Sequence, residues 1–190
     1  MHISRYFLAL AISAGALTAC GSDSTDTTSS ATGSAQLPPT TNGTDVEAWL
    51  AKGEYLKWKC ETASHPQMKV SPHGKNRICS NDSIANFKGA KGDERPKGSA
   101  AVKELYDDSD TLVGYAVEVK LAEKSDGGNN WYWYERVPVD KAPPNGVVAD
   151  GVGSTGTPKT ICVGCHTAAG LDDMHTVTAS SDFVYDVIAE

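Results

Sequence analysis

Leu112-Val113-Gly114-Tyr115-Ala116-Val117-Glu118-Val119-Lys120-Leu121 places Val113, Tyr115, Val117, Val119 and Leu121 on one side and Gly114, Ala116, Glu118 and Lys120 on the other. A period of two with one apolar face is the pattern of a β-strand. Asp126-Gly127-Gly128-Asn129-Asn130 follows as a cluster of turn formers. Trp131-Tyr132-Trp133-Tyr134 then supplies aromatic side chains that suit pleated backbone. The two runs predict an antiparallel hairpin. Upstream, Ser99 to Tyr106 predicts a third strand.

Flanking segments read as short helices and loops. Thr44-Asp45-Val46-Glu47 has the form of a capping box, with Thr44 as the cap and Glu47 reaching back. Val46, Trp49 and Leu50 recur at helical spacing, and Gly53 offers a stop. A second helix is predicted from Asp82 to Phe87, capped by Asn81 or Asp82. Ser71-Pro72-His73-Gly74 reads as a turn. Asn145 to Lys159 is rich in glycine and reads as a loop. Ser181 to Ile188 reads as a closing helix or strand, and its residues do not choose between them.

The strongest chemical motif is Cys162-Val163-Gly164-Cys165-His166. Two thiols two residues apart, followed at once by a histidine, read as a covalent c-type haem attachment site. Cys162 and Cys165 would add to the haem vinyl groups, and His166 would be the proximal iron ligand. Cys-x-x-Cys alone also serves zinc and redox dithiols. Zinc would need a second pair of ligands at similar spacing, and a thioredoxin-like dithiol would sit in a βαβ unit. Neither pattern is visible.

The beginning of the chain agrees with maturation outside the cytoplasm. Residues 1–19 have a basic start at Arg5, an apolar run from Tyr6 to Leu17 and small residues at the end, which reads as an export signal. Leu17-Thr18-Ala19-Cys20 resembles the bacterial lipoprotein signal, which implies cleavage before Cys20 and acylation of that cysteine. The alternative is an ordinary secretory signal with a free Cys20. Lipid chains of this kind anchor a protein stably. Gly21 is not the aspartate that retains such proteins at the inner membrane, so the expected location is the periplasmic side of the bacterial envelope, with the outer membrane preferred. Residues 20–44 are nearly all Ser, Thr, Gly, Asp and Pro and read as a flexible tether. Residues 45–190 suit a single domain.

Cys60 and Cys79 remain from the five cysteines. An oxidising compartment favours a disulfide between them. Two separate buried thiols, or a metal site with His65 and His73, are the alternatives. The formal net charge of −7, about −8 without the signal, argues against nucleic acid or acidic lipid as a partner. It suits a small neutral substrate or a basic redox partner.

Several motifs in one order carry a wider resemblance. Gly98-Ser99-Ala100-Ala101-Val102-Lys103-Glu104-Leu105 is followed by a strand ending Val119-Lys120. Asn130-Trp131-Tyr132-Trp133-Tyr134, the Cys-x-x-Cys-His motif and Ser181-Asp182-Phe183-Val184-Tyr185 come next. This order resembles cytochrome P-460 and its relative cytochrome c-prime-beta across most of residues 45–190. The resemblance implies an α+β fold, a twisted antiparallel β-sheet with flanking helices and a C-terminal c-type haem-binding segment. It also implies a homodimer and one covalently attached haem c, five-coordinate, with an open face for a small nitrogen-containing ligand or substrate. The implied reaction is oxidation of hydroxylamine, with electrons passing to a partner cytochrome.

Lys103 matches the lysine that the family joins covalently to the haem edge. Ala101, Lys103 and Leu105 share a strand face, and an apolar pocket would lower the amine's pKa. The chain departs from the family at the pocket glutamate, which aligns with Ala116. Glu118, on the same strand face, and Glu104, beside Lys103, are the candidate proton-accepting carboxylates. A second departure is the long segment after His166, with Asp172-Asp173-Met174-His175. Met174 or His175 is thereby a candidate sixth ligand, as is His73, while His65 reads as a surface residue. The alternative to the enzyme is a non-catalytic haem protein that binds nitric oxide or carries electrons at the membrane. A dithiol without haem is a third reading.

Overall fold

The alternating run of residues 112–121 forms β4 (Leu112–Lys120), and its neighbours assemble around it in chain order. The computed structural model describes residues 36–67, 71–90, 92–138, 140, 143, 145–177 and 180–185. The expected signal, Cys20 and residues 21–35 of the tether lie outside the described residues, as does the end of the 181–188 segment beyond Tyr185.

The sheet comprises β1 (Lys59–Cys60), β2 (Lys75–Ser80), β3 (Ala100–Tyr106), β4, β5 (Trp131–Arg136) and β6 (Val147–Val152), each antiparallel to the next. With α1 (Gly43–Ala51), α2 (Asp82–Ala85) and short helical turns around it, the architecture is α+β. The predicted hairpin is β4–β5, with Val117 opposite Tyr134 and Val119 opposite Tyr132. Cys60 and Cys79 are cross-strand partners of β1 and β2 and are joined as a disulfide.

Because side chains alternate across a strand, the sheet makes two cores. On the first face, Cys79, Ala100, Val102, Val117, Val119, Tyr132 and Tyr134 pack against Val46, Trp49 and Leu50 of α1 and against Tyr55. Burying an aliphatic side chain of this kind contributes about 1.5–3 kcal/mol. On the second face, Ile78, Ala101, Trp131, Trp133 and Ala149 pack against Ile84, Cys162, Val163 and Val184. The polar side of β4 is therefore buried too, and Glu118 and Lys120 lie inside.

Three expectations are corrected. The cap of α1 is Asn42, whose side chain accepts from the Asp45 amide at 3.0 Å, and Thr44 lies within the helix. Glu47 does not close a capping box. It accepts from the Tyr134 hydroxyl and, at 2.6 Å, from Arg136 Nε, tying α1 to β5. Structure also begins ahead of residue 45, since Pro38 is buried and the Trp49 indole donates to the Gln36 carbonyl at 3.1 Å. The glycine-rich 145–159 stretch holds a strand, β6, because β5 offers it an unpaired edge. Asp150 of β6 accepts from the Tyr132 hydroxyl at 2.6 Å and from the Gly43 amide at 2.7 Å.

Candidate functional site

After β6 the chain turns back across the second face. Gly153 permits this, because a Cβ there would meet the Gly128 carbonyl oxygen at 2.1 Å. A π-helical turn (Pro158–Val163) then runs into α3 (Gly164–His166). Cys162 and Val163 are buried against the tryptophans of β5, and both Cys162 and Cys165 are free thiols. Burial, with Glu135 and Glu118 nearby, pushes the Cys162 thiol up to about 12. Such a thiol is a poor thiolate at neutral pH, which disfavours dithiol exchange chemistry.

The His166 ring is held in one orientation. Its Nδ1 lies 2.5 Å from the Phe183 carbonyl oxygen. A carbonyl can only accept, so Nδ1 carries the proton and Nε2 keeps its lone pair. Nε2 has no hydrogen-bond partner among the described residues. Trp133 packs edge-on at 4.6 Å between ring centres, and Tyr185 at 5.2 Å. The Phe183 carbonyl is set by a tight turn in which Ser181 and Val184 exchange backbone hydrogen bonds. Asp182 and Phe183 both have positive φ there, 46° and 69°. That conformation is disfavoured for both side chains, and the buried carboxylate of Asp182 holds it. Asp182 accepts from Lys120 Nζ and from the Arg95 amide, each at 2.7 Å, and from the Ser125 hydroxyl.

In front of His166 are two adjoining hollows of about 530 and 630 Å³. Both are lined by His73, Ile78, Lys103, Cys165, His166 and Tyr185. Cys162, Ala116, Glu118, Trp133 and Glu135 line the larger one. Strand register explains the gathering, since Ile78, Lys103, Ala116 and Glu135 are successive partners across β2 to β5 on one face.

Charge in this cleft is arranged in pairs. Burial lowers the pKa of the Lys103 amine, partly offset by Glu118, Glu135 and Glu61. His73 Nδ1 lies 3.1 Å from Glu135 Oε1, and both side chains are largely buried. Burial, helped by the Lys103 charge, lowers His73, while Glu135 opposes the shift. Burial works to raise Glu135, but the His73 bond and nearby positive charge outweigh it, and its pKa is lowered. Glu118 Oε2 stands 3.4 Å from His166 Nδ1, whose proton is already given to Phe183. That oxygen and Trp133 Nε1 are buried without a hydrogen-bond partner, which is uncommon in a folded protein.

Lys103 and Glu118 thus join Cys162, Cys165 and His166 in one cleft. Glu118 stands on the Nδ1 side of the imidazole, away from Nε2. Glu104 lies on the opposite face of the sheet and does not reach the cleft. There it accepts from Tyr55 (2.7 Å), Arg77 (2.6 and 3.0 Å) and Tyr106 (2.6 Å). Met174 is 57% exposed, and His175 bonds Asp172 at 2.7 Å; both line only the smaller hollow. His65, expected at the surface, lies on the rim of that hollow and pairs with Glu61 at 3.0 Å. The His73–Glu135 pair was not anticipated. Its one signal is that Glu135 continues the alternation of Trp131 and Trp133 toward the second face.

The donor set fits a haem c. It offers two free thiols, an oriented imidazole with a free Nε2, an aromatic wall and two orphaned polar atoms. Among the described residues, no group of three or more His, Cys, Asp or Glu converges to hold a bare metal ion, and no helix is long and apolar enough to cross a membrane. Comparison with protein-family models, with curated proteins and with solved structures returns no match.

Proposed function

We propose that the chain is an exported, lipid-anchored c-type cytochrome that carries one haem on the second face of its sheet. It oxidises hydroxylamine or a related small nitrogen compound. One observation carries this reading: Cys162, Cys165 and the free Nε2 edge of His166 belong to one cleft, with the other ring nitrogen already engaged. Bound haem supplies a one-electron iron couple and a position for small ligands.

The chain's own residues do the rest. The Cys162 and Cys165 thiols would hold the haem as thioethers, with His166 beside them as a ligand for its iron. The Phe183 carbonyl orients His166 by accepting its Nδ1 proton. Ile78, Trp133 and Tyr185 exclude water. Lys103, whose pKa burial lowers, takes up a proton from the substrate. The electrons pass to a partner cytochrome.

A second reading is an electron carrier or nitric oxide binder that turns nothing over. It is favoured by His73, which stands across the cleft from His166. The test is the protein purified from a host that matures c-type haems, followed by mass and optical spectra with and without hydroxylamine. Attached haem with turnover supports the enzyme, and attached haem without turnover supports the second reading. Colourless protein with unmodified thiols overturns both.

A further inference from the structure

We propose that His73 is a second axial ligand, so that His73 and His166 bracket one iron from opposite sides. This rests on the haem attachment that both readings above share, and it favours the second, since His73 would occupy the position a substrate needs. The two rings line both hollows, and their centres lie 6.4 Å apart with planes at 73°. A metal–imidazole bond is about 2 Å long and a ring centre lies about 1 Å behind its bonding nitrogen, so two imidazoles on opposite sides of one ion stand about 6 Å apart.

Hydrogen bonding prepares both rings in the same way. His166 gives its Nδ1 proton to the Phe183 carbonyl, and His73 pairs Nδ1 with Glu135. Ligating histidines are held in this manner, by a carbonyl or a carboxylate on the far nitrogen. Nε2 of each ring has no hydrogen-bond partner among the described residues. The chain also brings His73 to the entry of β2. The His73 amide donates to Ser71 Oγ at 3.3 Å, and the next residue, Gly74, turns the chain with a φ of 66° directly into β2. Met174 and His175 sit on an outer loop and reach one hollow only. Among the described residues no third His, Cys, Asp or Glu joins the two imidazoles to hold a bare ion, which suits a group that brings its own donors. An external ligand would then have to displace His73.

The experiment uses the full-length chain matured with haem. Mass spectrometry first counts attached haem. Electron paramagnetic resonance and near-infrared magnetic circular dichroism of the oxidised protein then report the axial ligands. The expected wild-type signal is low-spin with two imidazoles. His73→Ala converts it to high-spin, added imidazole restores low-spin, and Met174→Ala and His175→Ala change nothing. A high-spin wild type, a methionine-sulfur signature, or low-spin haem retained in His73→Ala overturns the proposal. If His73→Ala does not fold, the wild-type signature decides alone. Absence of attached haem is a separate result, which refutes the haem reading and the ligation with it.

Discussion

Lys120 and Asp182 form an ion pair of 2.7 Å whose side chains are 0% and 4% exposed. The pair joins the end of β4 to the turn that carries Phe183, and through the Phe183 carbonyl it reaches His166. Removing one partner leaves a buried, uncompensated charge. Asp182→Ala is therefore expected to destabilise the fold by about 3–5 kcal/mol, measured by urea denaturation. It should also loosen the His166 ring, seen as a broadened haem spectrum. A stability loss below about 1 kcal/mol would mean that the pair behaves like an exposed one.

Glu104 makes the first core sensitive to acid. Burial works to raise its pKa, but the hydrogen bonds from Arg77, Tyr106 and Tyr55 outweigh it and the net shift is downward. A depressed carboxylate stabilises the fold above its unfolded value of about 4.3. That stabilisation is lost as pH falls from there through the folded value. Glu104→Gln is expected to cost about 2 kcal/mol at neutral pH and to flatten the stability profile below about pH 4. Thermal melts across that range check both expectations.

The Cys60–Cys79 disulfide closes a separation of 19 residues between β1 and β2. In the chain-entropy model a loop of this length contributes about 3 kcal/mol. Cys60→Ser with Cys79→Ser should lower denaturant stability by that amount and leave haem attachment intact. A loss of haem in the double variant would link β2 to the cleft more tightly than the disulfide alone explains.

Lys103 separates turnover from binding. Lys103→Met preserves much of the side chain's volume on the strand face but cannot take up a proton. Hydroxylamine turnover is expected to fall about 100-fold or more, while haem content stays at the wild-type level. Unchanged turnover in Lys103→Met would remove Lys103 from the reaction.

Strand patterning was legible where it was dense. The alternation of 112–121 and the aromatic run after it specify a hairpin, because a one-residue slip would move every side chain to the wrong face. The β6 strand was not legible. Gly151 within it and Gly146 and Gly153 beside it disfavour extended structure on their own, and the open edge of β5 recruits it. The helix cap failed for a similar reason. Thr44 and Glu47 satisfy the local pattern, but Glu47 finds Tyr134 and Arg136 on β5, and Asn42 takes the cap.

The amino-acid sequence alone determined that Cys162, Cys165 and His166 lie together, since they are neighbours in the chain and share one helical turn. It also determined the antiparallel hairpin and the pairing partners available to Cys60. Strand alternation already sends the adjacent Lys103 and Glu104 to opposite faces. The tertiary structure alone decided that both faces are covered, so that Glu104 meets Tyr55 and Arg77 while Lys103 lines the cleft. His73 and Glu135 are 62 residues apart and meet because successive strands in register bring their ends to one cleft. Local order sets what a short segment can do; packing sets which distant groups it meets.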